Sequence, residues 1–188
     1  MITIFTPVYN RSYMIKNLYK SLLRQTCFSF EWLIIDDGST DDLRGLVGQW
    51  QEKNLPFPII YHYMENGGKH RAINIGAGMA KGDIFFIVDS DDFLADDAVE
   101  FVEKEFCKIA DDKSIVGVSG LMCSYTDGSV IGGVPLFQDY VDATNLERER
   151  YGLAGDKTCA YRTWIWKDYP LPEFEGENFL GEGIVHNK

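Results

Sequence analysis

A cluster of acidic residues directly follows the most apolar segment of this sequence. Asp89, Asp91 and Asp92 lie within the four residues after Ile84–Val88, a run without polar side chains. Carboxylates this close together repel one another unless a cation joins them. Such oxygen ligands prefer a hard divalent ion, and a site with few protein ligands leaves room for the phosphate oxygens of a substrate. The cluster therefore predicts a Mn²⁺ or Mg²⁺ site that also receives a phosphorylated ligand. The alternative is a solvated acidic turn.

Three other polar segments also follow apolar runs, at the places where predicted strands end. They are residues 6–10 (Thr-Pro-Val-Tyr-Asn), 36–39 (Asp-Asp-Gly-Ser) and 65–69 (Glu-Asn-Gly-Gly-Lys). In an open parallel α/β sheet, the loops beyond the carboxyl ends of the strands converge, and helix N-termini point toward the same place. We therefore expect these segments and the acidic cluster to form one ligand site.

Alternating apolar patterns predict the elements that must position these segments. Short apolar runs predict strands at 2–6, 32–35, 59–63 and 84–88. Helical spacing predicts a helix after each of them, ending near residues 23, 53, 80 and 109. Ser12 is the expected N-cap of the first helix. The alternation predicts an α/β fold with a doubly wound, largely parallel sheet, in which the run at 84–88 is central and covered on both faces.

The pattern is less regular beyond residue 112. The expected elements are a β-hairpin from 116–125 and 129–133, a short helix over 142–151, a strand over 157–161 and a Pro/Gly/Glu-rich loop over 170–183. No linker divides the chain, so we expect one domain over 1–188 with two parts, 1–95 and 96–188. The last six residues read like the start of a helix, so we also expect the natural chain to continue.

Length, charge and cysteine content limit the class of protein. The chain has 188 residues, a net charge of −11 and four widely spaced cysteines, which fits a protein with reduced thiols. A strongly acidic chain does not bind nucleic-acid phosphates nonspecifically, so we expect no nucleic-acid partner. The sequence shows neither a signal peptide nor a membrane-spanning run. We expect a cytoplasmic protein whose contact with the inner face of the membrane is at most peripheral.

Taken together, the four polar segments resemble the motifs of family 2 glycosyltransferases. They occur in the same order and at matching spacing: Thr6–Asn10, Ile34–Asp41, Asn66–Gly76 and Val88–Asp92. The resemblance is firm over residues 1 to about 95 and weaker beyond them. It implies the GT-A fold, with a Rossmann-like, mostly parallel central sheet flanked by helices and a smaller irregular region on the acceptor side. It also implies metal-dependent, inverting transfer of a sugar from a nucleotide-diphosphate donor, with 1–95 as the nucleotide-sugar-binding half and 96–188 as the acceptor-side half.

The resemblance implies roles for individual residues of the first half. Tyr9 and Asp37 are implied to contact the base and ribose of the donor, and Asp89 to face the ribose or the sugar. Asp91 is implied to bind the metal, and Arg71 to lie beside the donor pocket. The full set of implied donor-binding residues is Thr6, Pro7, Tyr9, Asp37, Gly68, Arg71, Asp89 and Ser90.

Inversion also needs a base on the acceptor side, which takes a proton from the attacking hydroxyl. In the family this base is a carboxylate at the start of a late helix. Four glutamates lie in the matching region: Glu173, Glu175, Glu177 and Glu182. Glu182 is the preferred candidate because residues 183–186 look like a helix start behind it.

The resemblance implies a donor that is a UDP-sugar and an acceptor that is a saccharide or a lipid-linked saccharide, in the synthesis of surface or extracellular polysaccharide. Two other classes stay open. One is an Asp-x-Asp phosphatase or phosphotransferase, although that motif favours Gly or Thr soon after the second aspartate and Asp92 and Phe93 follow here. The other is a non-catalytic module that binds sugar nucleotides. The sequence predicts neither the sugar, the acceptor nor the oligomeric state.

Overall fold

One mixed sheet organises the part of the chain that the computed structural model describes, which comprises residues 1–122, 124, 126–129, 131, 144, 147, 150–152 and 157–177. Within these residues the strands are β1 (Ile2–Val8), β2 (Phe30–Asp37), β3 (Ile59–Met64), β4 (Ile84–Ile87), β5 (Gly117–Met122) and β6 (Lys157–Arg162). The helices are α1 (Ile15–Leu22), α2 (Leu43–Gln51), α3 (Lys69–Met79), α4 (Ala98–Lys108) and α5 (Thr163–Asp168).

The strand order is β3-β2-β1-β4-β6-β5, and the first four strands of this order are parallel. β6 pairs antiparallel with β4 on one side and with β5 on the other. β4 therefore lies inside the sheet, as its apolar sequence predicts. The N–H of Val88 donates to the carbonyl of Phe5 at 2.9 Å, so the chain stays beside β1 up to the first aspartate of the acidic cluster.

Helices cover both faces of the sheet, and each face has its own apolar core. α1, α2 and α4 pack on one face, where Tyr19 of α1 stacks on Trp50 of α2 with ring centroids 4.2 Å apart. α3 and α5 pack on the other face, over the stacked pair Phe5 and Phe85. α3 approaches this pair closely because it has Gly76 there, where a Cβ atom would overlap the Phe5 ring. The doubly wound α/β arrangement predicted from the sequence is confirmed.

The structure corrects the predicted N-cap of α1 and identifies the strand that pairs with the segment predicted over 116–125. Ser12 does not cap α1, since the residue before the helix is Met14 and it makes no side-chain cap. The strand predicted over 116–125 is present as β5, and its partner is β6. Of the expected second hairpin arm, 129–133, only two residues belong to the described part of the chain, and the expected helix over 142–151 lies largely outside it.

None of the helices in the described ranges combines the length and the apolar character that crossing a bilayer requires.

Candidate active site

The polar segments predicted to converge do so at the carboxyl ends of β1, β2, β3 and β4. In the register of these strands, Val8 lies beside Asp36 and Asp37 lies beside Met64. The acidic cluster begins one residue after Val88, next to the end of β1. One edge of the parallel half of the sheet therefore carries all four loops, as open α/β sheets require of a ligand site.

The loop after β1 is tied to the loop after β2. The N–H of Asn10 donates to Ser39 Oγ at 2.9 Å, and Asn10 Oδ1 accepts from the N–H of Thr40 at 2.7 Å. The N–H of Ser12 donates to Asp41 Oδ2 at 2.8 Å. Asn10 has a φ of 53°, a left-handed conformation that asparagine tolerates better than most residues. These bonds hold the two loops at a fixed distance from each other.

Asp36 is a buried structural group. Its Oδ1 accepts the N–H of Ser39 at 2.7 Å, and its Oδ2 accepts the hydroxyl of Tyr61 at 2.5 Å. Burial raises the pKa of Tyr61 far above its ordinary value, and the hydrogen bond to the carboxylate raises it further. Tyr61 therefore stays protonated and keeps Asp36 oriented away from solvent.

Asp37 organises the turn that begins α3. Its Oδ1 accepts the N–H of Gly67 at 2.7 Å, and its Oδ2 accepts the N–H of Gly68 at 3.0 Å. Its side chain is buried, with the residue only 6% exposed, and its carbonyl accepts the amide of Asn66 at 2.9 Å. Gly68 has a φ of 93°, which favours glycine. The donor-base role implied for Asp37 and the donor role implied for Gly68 stay predictions.

The acidic cluster is paired with two basic side chains from neighbouring loops. Arg11 Nη1 lies 2.7 Å from Asp91 Oδ2, and Lys69 Nζ lies 2.9 Å from Asp89 Oδ1. Ser90 between them is buried, at 2% exposure. The segment 65–69, which the sequence predicts to be part of the ligand site, includes Lys69, but the sequence did not identify Arg11. The available signal was its place in the first of the four converging loops.

The residues at the end of β1 and in the loop after it that were implied to contact the donor differ in accessibility. Thr6 is fully buried and its Oγ1 accepts the indole N–H of Trp32 at 3.0 Å, so its side chain belongs to the core. Pro7 is half-buried. Tyr9, in the loop after β1, is 49% exposed. A donor contact through any of these three residues stays a prediction.

Arg71 links the donor side of the site to the late loop over residues 170–177. Its guanidinium donates to the carbonyl of Gly67 at 3.3 Å and to the carbonyl of Phe174 at 2.7 Å, and its Nε lies 3.5 Å from Glu173 Oε2. Asn74, one turn further along α3, reinforces this link. Its Oδ1 accepts the N–H of Leu171 at 2.8 Å.

The late loop carries three of the four candidate bases. Glu173 Oε1 accepts the amide of Asn74 at 2.8 Å in addition to the Arg71 contact, so its carboxylate holds the loop to α3. Glu175 and Glu177 are exposed. Glu182, the preferred candidate, lies outside the described residues.

The fit of a divalent ion depends on two of the three carboxylates of the acidic cluster, Asp89 and Asp91. No group of three or more histidine, cysteine or acidic side chains in the described part of the chain is arranged to enclose a metal. Asp91 and Asp89 are partly exposed, with side-chain exposures of 39% and 45%. One or two hard, accessible oxygen ligands suit an ion that completes its coordination with water and phosphate oxygens. The residues present therefore fit Mg²⁺ or Mn²⁺ shared with a phosphorylated ligand.

Solved structures of other proteins share this architecture. The chain superposes on residues 1–349 of S. aureus TarS in complex with UDP-GlcNAc with a TM-score of 0.69 and 25% identity, covering 92% of this chain and 48% of that one. It also superposes on the mannosyltransferase PcManGT from Pyrobaculum calidifontis, in complex with GDP-Man and Mn²⁺, with a TM-score of 0.64 and 18% identity, covering 91% and 47% of the two chains. The implied GT-A fold is confirmed.

Sequence relatives and a family model agree with the fold. A chondroitin synthase of Pasteurella multocida (strain Pm70) and a hyaluronan synthase of Pasteurella multocida are each 36% identical to this chain over 138 residues. The match covers 70% of this chain but only 13% of either synthase. The family model described as "Glycosyl transferase family 2" matches residues 3–130. Since that match spans more than half of the sequence, the chain belongs to glycosyltransferase family 2.

Proposed function

We propose that this chain is the catalytic domain of a metal-dependent, inverting glycosyltransferase. In this proposal it moves a sugar from a nucleotide-diphosphate donor, a UDP-sugar, to a saccharide or lipid-linked acceptor in surface or extracellular polysaccharide synthesis. One observation carries the proposal: Asp89 and Asp91 pair with Lys69 and Arg11 at the carboxyl ends of the strands, among the same set of loops as the half-exposed Tyr9. That set of groups matches a ligand with a base, a diphosphate and a bound cation.

The family of the chain and the ligands of its structural neighbours support this donor class. TarS is described in complex with UDP-GlcNAc, and PcManGT in complex with GDP-Man and Mn²⁺. Uridine is preferred for this chain on the family resemblance. The acceptor is assigned to the polysaccharide class because the two Pasteurella relatives are named as chondroitin and hyaluronan synthases.

Asp91 would hold the divalent ion, with Asp89 beside it. The ion, when bound, supplies positive charge that offsets the diphosphate and stabilises the charge of the leaving group. Arg11 and Lys69 lie within 3 Å of the same carboxylates and add local positive charge to a chain of net charge −11. The donor is thus held by local charge, although the chain as a whole repels anions.

The remaining donor contacts follow from the accessibility of the loop residues. The half-exposed ring of Tyr9 offers a stacking face for a base. Asp37, fixed by the amides of Gly67 and Gly68, keeps the turn before α3 in place, and its proposed contact with the base rests on the family resemblance. Arg71 connects this turn to the late loop.

The acceptor side must supply the base. A carboxylate there takes the proton of the acceptor hydroxyl as that oxygen attacks the anomeric carbon opposite the leaving nucleotide diphosphate. Glu182 is our candidate, with Glu175 and Glu177 as exposed alternatives in the late loop. Glu173 is the weakest of the four because its carboxylate already binds Asn74 and Arg71. A cytoplasmic location, with peripheral contact to the inner face of the membrane, belongs to the same proposal.

Donor binding tests the proposal directly. Isothermal titration of the wild-type chain with UDP and with GDP, each in Mn²⁺ and again in EDTA, should show binding of UDP that depends on Mn²⁺. Asp91→Ala should abolish that dependence. Asp96→Ala is the matched control, since it removes an exposed carboxylate five residues away that pairs with Arg24 instead.

Two results would replace the proposal by one of its alternatives. Hydrolysis of p-nitrophenyl phosphate without any affinity for either nucleotide would favour the phosphatase. Tight UDP binding without transfer from UDP-GlcNAc or UDP-glucose to any tested oligosaccharide would favour the binding module. Equal UDP affinity of wild type and Asp91→Ala, in Mn²⁺ and in EDTA, would refute the metal assignment.

A further inference from the structure

Two carboxylates of the acidic cluster, Asp89 and Asp91, are held by cationic side chains of the same chain. Arg11 Nη1 lies 2.7 Å from Asp91 Oδ2, while Lys69 Nζ lies 2.9 Å and 3.1 Å from the two oxygens of Asp89. The two cations come from different parts of the site. Arg11 belongs to the loop after β1, and Lys69 is the first residue of α3. The protein thus supplies its own positive charge to a cluster that would otherwise repel itself.

These ion pairs place Arg11 and a divalent ion in competition. An oxygen of Asp91 that accepts a guanidinium N–H at 2.7 Å is less available to a metal, and the guanidinium repels a second cation. The pair is also weak enough to exchange, because its side chains are 45% and 39% exposed and such surface pairs contribute little to stability. A divalent ion alone should therefore displace Arg11 at a modest loss of affinity.

When a diphosphate is present, Arg11 should strengthen ligand binding, whereas with the metal alone it weakens binding. The negatively charged oxygens of the diphosphate are the acceptors with which the planar guanidinium of Arg11 forms its strongest, paired hydrogen bonds. Only the side chain has to move, since the backbone of Arg11 is fixed. Its carbonyl accepts the N–H groups of Met14 at 3.0 Å and Ile15 at 3.2 Å, and the preceding residue Asn10 is tied to the loop after β2. Lys69 is fixed in the same way by its place in the first turn of α3.

We propose that Arg11 and Lys69 are exchange residues, which hold Asp91 and Asp89 in the free protein and transfer to the diphosphate when the carboxylates bind the divalent ion. This inference rests on the proposed function, and it adds a property that neither a metal site nor a diphosphate site has alone. Arg11 should weaken the binding of metal without nucleotide and strengthen the binding of nucleotide with metal. Metal and nucleotide should consequently bind cooperatively.

Opposite effects of one substitution test the exchange. In isothermal titrations, Arg11→Gln should bind Mn²⁺ alone about two- to fivefold more tightly than wild type, the range that an exposed ion pair contributes. The same variant should bind UDP in saturating Mn²⁺ roughly tenfold more weakly, because a charged hydrogen bond to phosphate is lost. Arg11→Lys, which keeps the charge, should lie between wild type and Arg11→Gln in both titrations.

Arg24→Gln is the matched control, because it removes the same charge from a partly exposed arginine whose partner is Asp96. It should leave both affinities within about twofold of wild type, as screened charges at a distance contribute little. In an Asp91→Asn background, Arg11→Gln should no longer change the affinity for Mn²⁺ alone.

The exchange is overturned if Arg11→Gln leaves both affinities unchanged, or changes them in the same direction, while wild type binds UDP with Mn²⁺. Failure of wild type to bind UDP at all would instead refute the proposed function, and the exchange with it. The two failures are distinguishable because the wild-type titration alone decides the second.

Discussion

Removing the carboxylate of Asp37 should destabilise the chain substantially, because this side chain anchors the turn before α3. In Asp37→Ala the N–H groups of Gly67 and Gly68 lose their acceptors, which lie at 2.7 Å and 3.0 Å. A buried donor without a partner costs about 1–3 kcal/mol, so the two together amount to roughly 2–6 kcal/mol. Water that enters the vacated space will satisfy part of this demand, and we expect a loss of about 2–4 kcal/mol in the free energy of unfolding.

Urea unfolding measures this loss. Intrinsic tryptophan fluorescence reports on the core through Trp32 and Trp50, both buried, and far-ultraviolet circular dichroism provides a second probe of the same transition. Asp37→Asn should lose less than Asp37→Ala, since an amide keeps one oxygen for the Gly67 N–H. Asp83→Asn is the matched control, because its side chain is 92% exposed and its Oδ2 lies 3.6 Å from the amino group of Met1. Asp83→Asn should change the free energy of unfolding by less than about 0.5 kcal/mol.

Stability of Asp37→Ala within about 0.5 kcal/mol of wild type would refute the reasoning. So would an equal loss in Asp83→Asn, since the effect would then follow from net charge alone. A loss of stability with unchanged slope of the urea transition would confirm that the native turn, and not the unfolded chain, accounts for the change.

Three further substitutions test other contacts. Because the folded state raises the pKa of Tyr61, its contribution to stability is complete below the unfolded pKa of about 10 and declines as the pH rises above it. The urea midpoint of Tyr61→Phe should accordingly fall less steeply than that of wild type between pH 9 and 11, and parallel slopes would contradict this. Asn74→Ala should raise hydrogen exchange in the loop over 170–177 more than elsewhere, because it removes bonds at 2.8 Å that hold the loop to α3; uniform protection would contradict it. Gly76→Ala should cost about 1–3 kcal/mol in urea unfolding because the added methyl overlaps Phe5, whereas Gly78→Ala, with open space around it, should not destabilise the chain.

The architecture of the site could be predicted from the sequence because strand patterns and strand ends are local signals. The run at 84–88 contains only apolar residues, which fits a strand covered on both faces, and the polar residues begin where it stops. The same logic located the loops after β1, β2 and β3. Parallel topology then brought the four loops to one edge of the sheet.

The partners within the site could not be predicted, because they are separated by long stretches of sequence. Arg11 meets Asp91 across 80 residues, and nothing in the composition of either loop indicates that contact. Ser12 shows the same limitation. Its position suggested a helix cap, yet its N–H binds Asp41 in the neighbouring loop. The helix begins three residues later, at Ile15, so Ser12 lies in the loop that this hydrogen bond ties to its neighbour.

The donor-binding residues that the family resemblance implies differ in how deeply they are buried. Tyr9 is exposed where a ligand can reach it, whereas the Thr6 side chain serves the core. Alternation along a strand indicates which residues point inward, but the loop residues at its end have no such periodicity. The acceptor side is the hardest part to predict for this reason, since the three candidate bases among the described residues, Glu173, Glu175 and Glu177, lie in a loop with no repeating pattern.

The position of β6 determines what can be cut from this molecule. β4, the strand that leads into the acidic cluster, has one edge against β1 and the other against β6, which arrives 70 residues later in the sequence. A fragment that ends near residue 95 would leave that second edge bare, with unpaired amides flanked by apolar side chains, and such edges recruit other chains. The first half is therefore expected to aggregate when expressed alone, even though it carries the four motifs that resemble those of the family. The motifs that indicate the family end at Asp92, whereas the residues that the sheet needs in order to fold extend to β6.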